Sequence, residues 1–203
     1  MVELQRLAAT SVSRRIQDVL SVDKIGEGAA NRVFAIHFRD GFKLIARIPY
    51  PATRPTDLVV ASEAATLTFL RLKGIPVPEV YDYALSSDNP AGTPYILMEF
   101  SRGEHLLNSW HEMNEQDQHR FVSSLVKLEA RLFELLLPAS GSIYFDRDLP
   151  VAMGRTTLGK DVSSSFGPFC IGPSTALELW YGKRDGLDVD RGPCKCVSPK
   201  LFA

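Results

Sequence analysis

The 203 residues are 45 % hydrophobic and 23 % charged, with 23 Lys and Arg against 24 Asp and Glu for a formal net charge of −1. That is enough apolar mass for a packed core and one large domain or two small lobes. The near-neutral balance excludes a general attraction to nucleic acid or anionic membrane, and no apolar run reaches the length of a membrane span.

Leu4, Leu7, Ala8, Val12, Ile16 and Val19 recur at helical spacing, which predicts an N-terminal helix over residues 1–20. The mixture of charge and apolar residues in Met1–Leu7 lacks the apolar core of a secretory signal. Val22–Ile25 then reads as a strand running into Gly26-Glu27-Gly28-Ala29-Ala30-Asn31. Arg32–Arg39 and Phe42–Ile48 both alternate, and Asp40-Gly41 between them is a hairpin signal. Pro49, Pro51 and Pro55 mark a loop, after which Thr56 or Asp57 caps a helix predicted to reach about Lys73. Gly74, Pro76 and Pro78 end that helix, and Glu79–Leu85 and Pro94–Phe100 read as two further strands. The first hundred residues thus predict a mostly antiparallel sheet with one helix inserted after the third strand.

Beyond Gly103 the pattern turns helical. Asn114 is a candidate cap, and Phe121, Leu125, Leu128, Leu132 and Leu135 form one apolar stripe ending at Pro138. Ala139–Pro173 is rich in Gly, Ser and Pro and reads as irregular, and Thr175–Tyr181 as a short helical stretch. Three cysteines, all late in the chain, are no disulfide framework and indicate a reducing compartment. Cys194-Lys195-Cys196 has no second ligand pair at metal-site spacing, so no metal is expected there.

Four elements carry candidate chemistry. Gly26 and Gly28 give a backbone that approaches phosphate closely, with Val33 placed to cover a flat base. A strand follows these glycines, whereas a dinucleotide fold or a P-loop continues into a helix. Arg47 shares a strand face with Lys43 and Ile45, and Glu63 lies on the apolar stripe of the inserted helix with Val59, Val60, Leu67 and Leu70. A carboxylate on an apolar stripe needs a partner, and Arg47 is the natural one. Tyr95–Gly103 is a buried-looking strand entering a glycine-containing linker. Singly these are a turn, a strand residue, a stripe-edge glutamate and a core strand; in this order they are the parts of a kinase small lobe.

Those segments resemble the aminoglycoside-phosphotransferase and choline-kinase-like proteins, and within them a fungal group that includes the altered-inheritance-of-mitochondria proteins. The likeness rests on Ile25–Phe34, Ile45–Pro49, Ser62–Thr66 and Ile96–Phe100, together with Phe169–Pro173 and Leu187–Pro193. It implies an α+β, protein-kinase-like fold: an antiparallel-sheet small lobe over residues 21–103 and an incomplete helical large lobe over 104–193, with an atypical tail at 194–203. It implies that the loop at Gly26 and Gly28 covers the phosphates of ATP and that Arg47 faces them while pairing with Glu63. The backbone of Glu99–Ser101 would then bond adenine, with Met98 lining the pocket. Asn31 stands where a third glycine is usual, and Arg47 stands in place of lysine, whose point charge its planar fork does not reproduce.

The His-x-Asp loop and later aspartate that supply such a family's base and magnesium ligands do not occur here. His119-Arg120-Phe121, Ser165-Phe166-Gly167, Asp146-Arg147-Asp148 and Asp188-Val189-Asp190 imitate parts of them out of context. The chain is therefore expected to be the front part of a phosphotransferase: it binds ATP weakly, lacks magnesium ligands and has no catalytic activity alone, with the acceptor unreadable. The alternatives are a non-catalytic binding module contacting a protein partner through the exposed helical stripe, or a non-functional fragment. An intracellular place is expected, cytoplasmic or mitochondrial, the latter from the resemblance alone.

Overall fold

In the computed structural model, residues 1–159 and 163–195 are described. Helix α1 (Val2–Ser11) buries Leu4, Ala8 and Ala9 on one side, as its apolar spacing requires. It is shorter than the helix expected over residues 1–20. Ser13 adopts a φ of 57°, and a 3-10 turn at Ile16–Asp18 follows. The cause is tertiary: Arg14 reaches Asp40 (Nε–Oδ2 3.2 Å) and lies 4.1 Å from the centre of the Phe42 ring, which draws the chain off the helical path.

Strands β1 (Val19–Glu27), β2 (Asn31–Phe38), β3 (Lys43–Pro49), β4 (Val80–Ala84) and β5 (Tyr95–Glu99) form one antiparallel sheet in the order β1-β2-β3-β5-β4. Gly41 takes a φ of 83° in the β2–β3 hairpin, where Asp40 accepts the Phe42 N–H at 3.0 Å. That is the left-handed turn the Asp-Gly pair specifies. Helix α2 (Thr56–Leu72) is inserted between β3 and β4.

Alternation gives the sheet two apolar faces. Ile36, Phe38, Leu44, Ala46, Ile48 and Leu97 pack under α1. Val80, Ile96 and Met98 pack against Val60, Ala64, Ala65 and Phe69 of α2. After the linker come α3 (Leu106–Ser109) and α4 (Glu115–Phe133), the latter capped as expected by Asn114, whose Oδ1 accepts the Asp117 N–H at 2.9 Å. No residue of α4 is buried.

Residues 139–172, expected to be irregular within a helical large lobe, instead build a second β layer. It comprises β7 (Ser142–Phe145), β8 (Thr156–Thr157), β9 (Ser163–Ser164) and β10 (Gly167–Gly172), while β6 (Ala139–Ser140) forms a separate two-stranded ladder with β11 (Cys194–Lys195). Strand β10 is its centre, antiparallel to β7, β8 and β9. Ile143, Phe145, Phe169 and Ile171 complete the core around α2, with Phe69 and Phe169 edge to face at 5.7 Å. Tyr144, Cys170 and Trp180 close over Leu58 and Ala61 of the same helix. Helix α2 is thus held between two β layers, and packing crosses the expected lobe boundary at 103. The stretch Thr175–Tyr181 is 3-10 over Leu177–Leu179. Cys196 and most of the 194–203 tail lie outside the described residues.

Candidate functional site

The register of the sheet aligns four residues across four strands: Gly26 faces Val33, Val33 faces Arg47, and Arg47 faces Ile96. Side chains alternate, so Arg47 projects from the sheet face that α2 covers. There its Nη1 pairs with Glu63 Oε1, as the apolar stripe around Glu63 requires. The pair is half-buried, with 37 % of the Arg47 side chain and 23 % of the Glu63 side chain exposed. Burial raises the Glu63 carboxyl above its ordinary range, and the Arg47 charge offsets only part of that.

Asn31 opens β2 and completes the group. With its amide turned so that the oxygen faces Arg47, that oxygen accepts from Nη2 at 2.8 Å and Nε at 3.2 Å. Arg47 therefore holds a carboxylate with one side of its planar fork and an amide with the other, which a lysine ammonium could not do in one plane. The sequence shows Asn31 only as a missing glycine. Its value as an acceptor follows from its place diagonal to Arg47 across the β2–β3 ladder, where Asn31 faces Pro49 and Val33 faces Arg47.

Neither Gly26 nor Gly28 has a positive φ, so neither is needed for a left-handed turn. Gly26 lies within β1, where an added Cβ would meet Val33 Cβ at an ordinary 3.7 Å. Around Gly28 nothing lies within 4 Å of an added Cβ. The turn closes through the Gly28 N–H to the Asn31 carbonyl at 2.9 Å. What the glycines give is a bare strip of backbone beside Val33, one strand removed from Arg47.

At the other end of β5, Met98 is buried opposite Ile45, with 7 % of its surface exposed. The Glu99 carboxylate accepts from Arg71 Nη1 at 2.9 Å and from the Glu79 N–H at 3.2 Å. Because the Glu99 N–H donates to the Glu79 carbonyl at 2.8 Å, it is not a free donor for a base. Ser101, in the linker beyond the strand, is exposed.

The imitations of catalytic motifs are held elsewhere. His119 is an exposed residue within α4. Phe166 sits in the β9–β10 turn against Tyr83 and Phe145, both at 5.4 Å. Asp148 accepts from the Tyr83 hydroxyl at 2.6 Å, and Asp146 pairs with Arg155 at 2.9 Å. Asp188 and Asp190 are exposed, and Asp190 accepts the Gly192 N–H at 2.8 Å. Among the described residues no three His, Cys, Asp or Glu side chains gather as a metal-ligand set.

The amino-acid sequence matches the model of the phosphotransferase enzyme family over residues 21–155, the stretch that carries the five-stranded sheet and its inserted helix. The chain belongs to that family. It is 37 % identical over 179 residues to a subtelomeric hrmA-associated cluster protein of Aspergillus fumigatus, covering 88 % of this chain and 33 % of that one. It is 31 % identical over 180 residues to altered inheritance of mitochondria protein 9, mitochondrial, of Saccharomyces cerevisiae, covering 81 % of this chain and 29 % of that protein. The protein of the same name in Candida albicans is 30 % identical over 198 residues, covering 89 % and 31 %. The chain thus spans about a third of the length of the curated relatives it matches. Among the described residues no helix is long and apolar enough to cross a membrane.

Proposed function

We propose that this chain is the nucleotide-binding part of a kinase-like phosphotransferase and that it binds ATP weakly. The observation that carries the reading is the Arg47–Glu63 pair, in register across Val33 of β2 with the bare backbone at Gly26. Phosphate oxygens need N–H donors and a cation at close range; with the Gly28 N–H bonded to the Asn31 carbonyl, the donors of this turn are the N–H groups of Ala29 and Ala30. Arg47 keeps more than a third of its side chain exposed while paired, so it has a face left for an anion. Val33 offers an apolar surface for the base beside it.

The surroundings of Arg47 suit holding the donor nucleotide and do not suit deprotonating an acceptor. Arg47 keeps its proton at working pH and Glu63 is engaged with it. Transfer of a γ-phosphoryl group also needs an oriented acceptor and charge neutralisation by a metal. The relatives named as mitochondrial proteins support a mitochondrial compartment, with a cytoplasmic one as the alternative.

Titration calorimetry with ATP, with and without magnesium, tests this. The expected result is binding with a Kd on the order of 1 mM, about −4 kcal/mol, that magnesium changes little. Strong enhancement by magnesium would mean that metal ligands are present in this chain. The competing reading, a non-catalytic module that binds another protein, is favoured by α4 and the segment after it, where Phe133 is 86 % and Leu136 94 % exposed. A radiolabelled-ATP assay over small alcohols and aminoglycosides bears on both readings. Turnover above about 1 s⁻¹, the low end for working kinases, would contradict the inactivity expected of this chain alone.

A further inference from the structure

The β1–β2 turn is tied from behind by the segment that leads into α2. The Ala30 carbonyl, at the crest of the turn, accepts two hydrogen bonds: from the Tyr50 N–H at 2.9 Å and from Thr53 Oγ1 at 3.0 Å. The Tyr50 hydroxyl donates to the carboxylate of Glu27, at the end of β1. The path continues into the helix. Thr53 N–H bonds the Tyr50 carbonyl at 2.9 Å, the Thr56 hydroxyl donates to the Thr53 carbonyl, and Val59 N–H reaches the Pro55 carbonyl at 3.0 Å. Thr56 is the first residue of α2, the helix that carries Glu63.

Two separate links therefore join the start of β2 to α2. One is the Asn31–Arg47–Glu63 group on the sheet's inner face. The other is the Ala30–Thr53–Thr56 path along the edge. A lone hydrogen bond at an exposed turn contributes little, but two donors on one carbonyl fix its direction as well as its distance. When one carbonyl is so fixed, the N–H groups of a three-residue turn have little freedom left.

We propose that Thr53 and Tyr50 are positioning residues that couple the glycine turn to α2, so that the turn and Glu63 are set as one unit for an anionic phosphate chain. This rests on the nucleotide reading given above and deepens it. It also gives a reason for the departure at Asn31. A turn locked from behind does not need a third glycine to find one conformation, because the constraint comes from Tyr50 and Thr53 rather than from the turn's own residues.

The test uses Thr53→Val, which removes the hydroxyl and keeps the shape, Thr53→Ser, which restores the hydroxyl, and Tyr50→Phe. Two readouts are taken on the full chain: amide exchange at Gly28 and Tyr50, whose N–H bonds close the junction, and ATP affinity by calorimetry. Thr53→Val is expected to speed exchange at both amides and to weaken ATP about fivefold, the size of one net hydrogen bond. Thr53→Ser returns both to the wild-type values, and Tyr50→Phe speeds exchange at Gly28. All three keep the wild-type melting temperature, which separates positioning from loss of fold. Unchanged exchange in Thr53→Val and Tyr50→Phe would overturn the coupling even if ATP binds. Wild-type protein that binds no ATP would overturn the nucleotide reading instead, while the exchange data still judge the tie.

Discussion

Arg47 stands between a carboxylate and an amide, and the difference between the two decides what each substitution does. Removing Glu63 leaves the guanidinium with Asn31 and water; removing Arg47 leaves a half-buried carboxylate without its cation. A double-mutant cycle on Arg47→Met and Glu63→Gln is expected to give a coupling of about 1–2 kcal/mol, between the values for exposed and buried pairs. Additive effects would show that the contact contributes nothing. The cycle has a pH signature. The folded Glu63 pKa lies above the ordinary 4.5, because desolvation outweighs Arg47, so the folded state holds this proton more tightly than the unfolded chain. That penalty is absent below pH 4.5 and grows as pH rises through the folded value. The stability of Glu63→Gln relative to wild type should therefore improve on going from about pH 4.5 to 7. A difference that moves the other way would mean that Arg47 wins.

Among the elements, exposure separates two stripes that look alike as sequence. Phe121, Leu125, Leu128 and Leu132 repeat on α4 as regularly as Val60, Ala64 and Phe69 do on α2, yet α4 buries none of its residues and α2 is enclosed by two β layers. Leu132→Gln should change stability by no more than about 0.5 kcal/mol, whereas Phe169→Ala, in the β10 strand against Phe69, should cost about 3–5 kcal/mol. Urea denaturation measures both, and a large loss in Leu132→Gln would show that α4 is covered. The first sheet was readable because its strands are half-exposed at the edge and alternate, and because Asp40-Gly41 fixes one hairpin. The second layer was not. Ile143-Tyr144-Phe145 and Phe169-Cys170-Ile171 are buried on both faces, so they carry no alternation, and β6, β8, β9 and β11 are two residues each. The break after α1 also lay beyond local pattern, since contacts of Arg14 with Asp40 and Phe42 set it.

Across the whole molecule, the candidate site was legible to the extent that it depends on order along the chain. Gly26, Val33, Arg47 and Glu63 were placed by element sequence, and the sheet register and α2 bring them together. What stayed hidden depends on geometry between segments: the acceptor role of Asn31, the engaged N–H of Glu99, and the Tyr50–Thr53 support of the turn. Family membership fixes the architecture, while activity has to be judged from the groups present at the site. The central claim is that ATP meets this chain at the glycine turn and Arg47. Backbone amide chemical-shift mapping during an ATP titration of 15N-labelled protein tests it most directly. The expected result is shifts concentrated at Gly26, Gly28, Ala29 and Val33, with the Arg47 side-chain Nε–H also moving, and loss of the whole pattern in Arg47→Met. Shifts centred on α4, or a pattern that Arg47→Met leaves intact, would contradict it.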